Sequence, residues 1–139
     1  MDSTAALEAK AVDACAKHKR EHWAKDNYRA AVRVDSNFFV KFGSPTDLVP
    51  EIETQKHIFH YAASSHPHGA PRIPGVLHYF ERDGTMYLVM EFIELLPTPP
   101  DLTKVAASLS WLAAVPAPPS HVLGPLGGGR IRHRFFKDA

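Results

Sequence analysis

The chain has 139 residues, of which 45% are hydrophobic and 22% charged, and its net charge is +1 with histidines neutral. That length supports one compact domain with its own core, and the near-neutral balance lacks the strong field of a nucleic-acid or anionic-membrane binder. No apolar run reaches the roughly 18 to 20 residues of a membrane span, residues 1–25 lack the apolar core of a secretory signal, and the single cysteine, Cys15, allows no internal disulfide, so a cytoplasmic protein is expected.

Alanine, lysine and glutamate predict a first helix over residues 3–25, with Ser3 or Asp2 as its cap. Leu7, Ala11, Ala14 and His18 fall near one face, a thin stripe that suits a helix lying against something larger. Ala31–Val34 alternates, Asp35, Ser36 and Asn37 supply turn chemistry, and Phe38–Phe42 is rich in strand formers, which together predict a hairpin. Gly43, Ser44 and Pro45 break it.

A second helix is expected over Asp47–Ala63, with Leu48, Ile52, Gln55, Phe59 and Ala62 close to one face and Pro50 tolerated in the first turn. Ser64–Pro74 reads as a loop. Gly75–Phe80 and Met86–Ile93 then predict a second hairpin, closed through Arg82-Asp83-Gly84-Thr85. The second of these strands is apolar almost throughout, so both its faces should be covered.

Pro97, Pro99 and Pro100 stiffen a connection to a third helix, which Asp101 caps and Pro116, Pro118 and Pro119 end. Its apolar residues Leu102, Val105, Leu109 and Leu112 repeat at three and four. The tail holds Gly127-Gly128-Gly129, a flexible link without the lysine of a phosphate-binding loop, and the basic run Arg130–Arg134 followed by Phe135 and Phe136. The expected fold is therefore α+β: an antiparallel sheet with one packed helix, plus an N-terminal helix. The expected organisation is a helical extension at 1–27, the sheet unit at 28–96, and a proline-rich hinge, helix and tail at 97–139.

Three segments carry a resemblance. Phe38-Phe39-Val40-Lys41-Phe42-Gly43 is similar to a strand bearing a nucleotide-binding lysine. Glu51–Ile58 is similar to the start of the helix that supplies its carboxylate partner, and Tyr87–Ile93 to the strand that enters an interlobe hinge. In this order, with Ala70–Pro74 before the second hairpin, the chain over residues 28–115 resembles the small lobe of the aminoglycoside phosphotransferase and protein-kinase-like superfamily, closest to its phosphotransferase-like branch with many fungal members.

The resemblance implies a kinase-like phosphotransferase that binds ATP, with magnesium only in a complete enzyme and an unknown acceptor. Lys41 would meet the phosphates as a compact positive charge. Glu51, placed in the first turn of its helix, would hold it. Glu53 is the alternative, rotated about 200° from Glu51 on an ideal helix. The Glu91 carbonyl and Ile93 amide would meet the adenine edge, Met90 would sit behind the base, and Phe39, Ile73 and Val89 are candidates for the apolar wall. Lys41, Glu51 and Met90 also have plain readings, as a solvated strand lysine, an acidic residue favoured by a helix dipole and a core methionine.

Two features depart from the family pattern. No glycine precedes Gly43, so a glycine-rich loop over the phosphates is missing from this chain. No His-Gly-Asp or Asp-Phe-Gly pattern occurs, and the only aspartate after Asp101 is Asp138, so no catalytic base or metal ligand is assigned. The expectation is a small lobe with the first helix of an otherwise missing large lobe, inactive alone and prone to self-association through that helix's apolar stripe. A non-catalytic pseudokinase-type binding or scaffold protein is the rival.

Nine histidines invite a metal reading, but His18/His22, His57/His60 and His66/His68 make no evident convergent set of three or four ligands. Cys15 reads as a small apolar helix residue.

Overall fold

The computed structural model describes residues 2–65 and 70–118. The sequence features at His66, His68, Pro119, 127–129 and 130–136 lie outside the described residues. Those described form an α+β fold: α1 (Ser3–His22), β1 (Ala31–Val34), β2 (Phe38–Gly43), α2 (Pro45–Ser65), β3 (Val76–Arg82), β4 (Thr85–Glu91) and α3 (Leu102–Ala113). The four strands make one antiparallel sheet in the order β1-β2-β4-β3.

Both hairpins form where turn chemistry predicts them. Asp83 and Gly84 take φ of 52° and 79°, the two left-handed positions of a two-residue turn whose twist matches its strands. Asp35, at φ 52°, opens the other turn, and an aspartate tolerates that conformation better than most residues. The last strand returns between β2 and β3, so β2 and β4 are the two strands with a neighbour on each side.

Alternation along β4 splits the core in two. Met86, Leu88 and Met90 face α2 and pack with Leu48 and Ile52. Tyr87 and Val89 face the opposite way and pack with Val34, Val40 and the α1 residues Ala11 and Cys15. The continuous apolar run of β4 is thereby explained: a helix covers each face. Of the expected α1 stripe Ala11 is buried, and Cys15 rather than Ala14 is its buried companion one turn on. Leu7 and Ala14 only flank them, and His18 turns aside to meet the Arg29 carbonyl at 2.8 Å.

Helix boundaries differ modestly from expectation. Asp2, not Ser3, caps α1 by accepting from the Thr4 amide, and the helix stops at His22 rather than residue 25, with Lys19, Arg20 and His22 in its last turn, where cations suit the dipole. The second helix starts at Pro45, a favoured first position, with the Ser44 hydroxyl accepting from the Asp47 amide. Pro50 therefore lies beyond the first turn, inside the helix, where it lacks the amide that the Thr46 carbonyl would accept. Asp101 caps α3 through the Thr103 and Lys104 amides.

The third helix buries none of its residues. Leu102 and Leu109 are 78% and 62% exposed. The helix is held to α2 by Trp111 against Tyr61, ring centroids 5.7 Å apart, and by His57 Nε2 at 2.7 Å from the Pro116 carbonyl oxygen. No described helix is long and apolar enough to cross a membrane.

Candidate functional site

Lys41 and Glu51 converge because of two periodicities. On β2, Val40 is buried toward α1, so its neighbours Phe39 and Lys41 point to the α2 face; Phe39 packs there with Met90 and Leu88. On α2, Leu48 and Ile52 seat the helix on that face, and Glu51 precedes Ile52 at the rim. The Lys41 Nζ forms an ion pair and hydrogen bond with Glu51 Oε1.

The pair is partly solvated: the two side chains are 34% and 43% exposed. An ion pair in that setting adds little stability, and its main effect is to fix the direction of a long, flexible lysine stem. Partial burial pushes the Lys41 ammonium below the ordinary lysine range.

The alternative carboxylate is engaged elsewhere. Glu53 lies 3.7 Å from Lys56, its neighbour one turn on. Glu51 itself sits in the second turn of α2, not the first, because the helix begins at Pro45. Dipole stabilisation of acidic groups fades beyond the first turn, so that plain reading of Glu51 loses force.

The three residues named at the end of β4 have distinct settings. Met90 is 7% exposed, packed in the α2-side core with Leu48 and Ile52. Glu91 turns its carboxylate onto the segment before β3: Oε1 accepts from the Gly75 amide at 3.1 Å, and Oε2 lies 3.3 Å from Arg72. Its amide donates to the Gly75 carbonyl. Ile93, two residues on, is half-buried, and its amide makes no hydrogen bond among the described residues. Between them, Phe92 is fixed by its amide on the Asn37 carbonyl at 2.8 Å and by the Arg33 guanidinium 3.9 Å above its ring.

Of the candidate wall residues, Phe39 shares the Lys41 face, whereas Val89 is fully buried on the α1 side. Val89 thus cannot line a slot with Lys41, because adjacent β residues project oppositely. Ile73 is half-buried in the segment leading to β3.

Sequence reasoning missed the polar clamps that position these strands. Glu8 of α1 meets both His78 and Arg82 of β3, at 2.8 and 3.0 Å. Gln55 of α2 donates to the Pro74 carbonyl at 2.8 Å. An open groove of about 490 Å³ lies apart from Lys41, between α2 and the outer part of β3, lined by Lys56, Phe59, His60, Leu77 and Tyr79 among others. Among the described residues no three of His, Cys, Asp or Glu converge on a common metal position.

The fold and site define an α+β chain with a helix-tethered strand lysine. No protein family, curated protein or solved structure matches it.

Proposed function

We propose that this chain is the nucleotide-binding small lobe of a kinase-like phosphotransferase. The observation that carries the reading is the Lys41–Glu51 pair, a lysine on a sheet strand held by a carboxylate from the helix packed on that sheet. Kinase-like phosphoryl transfer relies on such a pair, because catalysis is mostly positioning and electrostatic stabilisation of phosphate charge. ATP, when bound, supplies the phosphoryl group. Lys41 contributes a directed cation for the phosphates, and Glu51 keeps its stem from collapsing elsewhere. The unbonded Ile93 amide supports a hydrogen-bonding edge just past β4, with the Glu91 carbonyl as its companion. Met90 closes the sheet behind that edge. The acceptor and the catalytic aspartate are not assigned to this chain.

A second reading, a non-catalytic pseudokinase-type binding or scaffold protein, is favoured by one observation: no glycine precedes Gly43. A phosphate-covering loop without glycine cannot bring its backbone as close to the phosphates.

Thermal unfolding with and without magnesium and millimolar ATP separates the two. The phosphotransferase reading expects a nucleotide-dependent rise in Tm, since a ligand that binds only the native state stabilises it. It expects that rise to vanish in Lys41→Ala. No rise in the parent chain would favour the scaffold.

A further inference from the structure

The outer edge of β3 is a candidate surface independent of nucleotide binding. Among the described residues β3 lies at the end of the sheet, with β4 on one side only. The two-residue turn makes Arg82 and Thr85 the closing pair, so His78, Phe80 and Arg82 direct their backbone groups to β4, while Tyr79 and Glu81 direct theirs outward. A β-bulge marks the start of the strand, between Val76 and His78, and leaves residues 78–82 regular.

That outward edge carries exposed apolar surface. Leu77 is 54% and Tyr79 46% exposed, and with Phe59 they line the open groove against α2. Soluble sheets usually blunt such an edge with charge. Here Lys56 lies over the Tyr79 ring at 5.4 Å and 3.7 Å from Glu53, Arg82 is drawn to Glu8, and Glu81 makes no ion pair among the described residues.

We infer that β3 pairs antiparallel with β3 of a second copy of this chain, about a two-fold axis at Phe80. This register sets Tyr79 opposite Glu81 of the second copy, and the reverse, as hydrogen-bonded pairs that use the outward backbone groups of both strands. It brings each Glu81 carboxylate beside the Tyr79 ring over which Lys56 of the other copy sits, which supplies the charge complementarity. Phe80 meets Phe80 on the other sheet face, a cross-strand aromatic pair. A register centred on Glu81 would instead oppose two carboxylates, and one centred on Tyr79 would run into the bulge. The groove between α2 and β3 is then capped by the second copy, and one eight-stranded antiparallel sheet spans the dimer.

Cysteine cross-linking reads the register directly. Directly opposed residues of a hydrogen-bonded antiparallel pair have Cα atoms about 5.5 Å apart, within disulfide reach. A mixture of Tyr79→Cys and Glu81→Cys chains should form the mixed disulfide dimer on mild oxidation, while each chain alone should cross-link at least several-fold less. Both positions are surface-exposed, and circular dichroism checks that the variants remain folded. In sedimentation equilibrium, Glu81→Lys should weaken the parent dimer, and Lys56→Glu in the same chain should restore it. A monomeric parent chain overturns the inference. So does dimerisation that Glu81→Lys leaves intact but Leu109→Lys on α3 abolishes, or equal cross-linking of the single-variant and mixed samples.

Discussion

Glu8, in the second turn of α1, and His78, on β3, meet at 2.8 Å although 70 residues separate them in the chain. Arg82 reaches the other oxygen of the same carboxylate at 3.0 Å. Glu8 is only 22% exposed in its side chain, so this clamp works in a partly desolvated setting and ties the N-terminal helix to the far hairpin. Glu8→Ala should lower the unfolding free energy by about 1–2 kcal/mol, the range for losing charge-assisted hydrogen bonds. Glu21→Ala, which removes an exposed contact 3.8 Å from His22, should change it by less than about 0.5 kcal/mol. Urea denaturation of the two variants measures the difference.

A core leucine and an exposed α3 leucine should differ in sensitivity to truncation. Leu88 is fully buried on the α2 side, and Leu88→Ala should destabilise the chain by about 2–5 kcal/mol through lost transfer energy and the cavity left behind. Leu109→Ala on the exposed face of α3 should stay within about 0.5 kcal/mol of the parent in the monomer. Comparable losses at both positions would show that α3 is packed in solution.

Alkaline pH should weaken the fold through Cys15. Burial in the α1-side core pushes its thiol up to about 12 from an ordinary 9.0, because the thiolate is excluded from apolar surroundings. The unfolded chain loses this proton first, so the contribution is intact below about pH 9 and is lost as pH rises toward 12, with a limiting slope of roughly 1.4 kcal/mol per pH unit. Tyr87, raised by its burial and next by the charge at Cys15, acts in the same direction at higher pH. Cys15→Ala should flatten the early part of this decline, read as the slope of unfolding free energy against pH. The native thiol should also resist alkylation until the chain unfolds.

The Lys41–Glu51 pair should matter far more to a ligand than to folding. Both side chains keep a third or more of their surface in water, so Glu51→Gln should shift unfolding free energy by less than about 1 kcal/mol. On the proposed function the same variant should reduce the ATP-dependent rise in Tm, and Glu53→Gln, which disturbs the contact with Lys56, should leave it unchanged. A large loss of stability in Glu51→Gln without ligand would instead make the pair a structural contact.

Much of the fold is legible locally. Asp83-Gly84 and Asp35-Ser36-Asn37 specify their turns through residues that tolerate positive φ or supply short polar side chains, and alternation in β1 puts Val32 and Val34 on one face. The candidate site is legible in part. Lys41 and Glu51 are both named by the resemblance, yet a lysine in an apolar strand and a glutamate near a helix start are common, and only the helix phase separates Glu51 from Glu53. Met90 is harder to read, since a buried methionine looks the same in sequence whether or not it backs a binding edge.

Periodicity and turn chemistry, which act over a few residues, determined by themselves that this chain makes two hairpins around one helix, with a further helix on either side. Only the tertiary structure decided that β4 returns between β2 and β3, that α1 covers the face opposite α2, and that Glu8, Gln55 and Glu91 each hold a distant segment. Those choices depend on desolvation and packing between residues far apart in the chain, and a carboxylate that will be enclosed carries no local mark distinguishing it from one left in water.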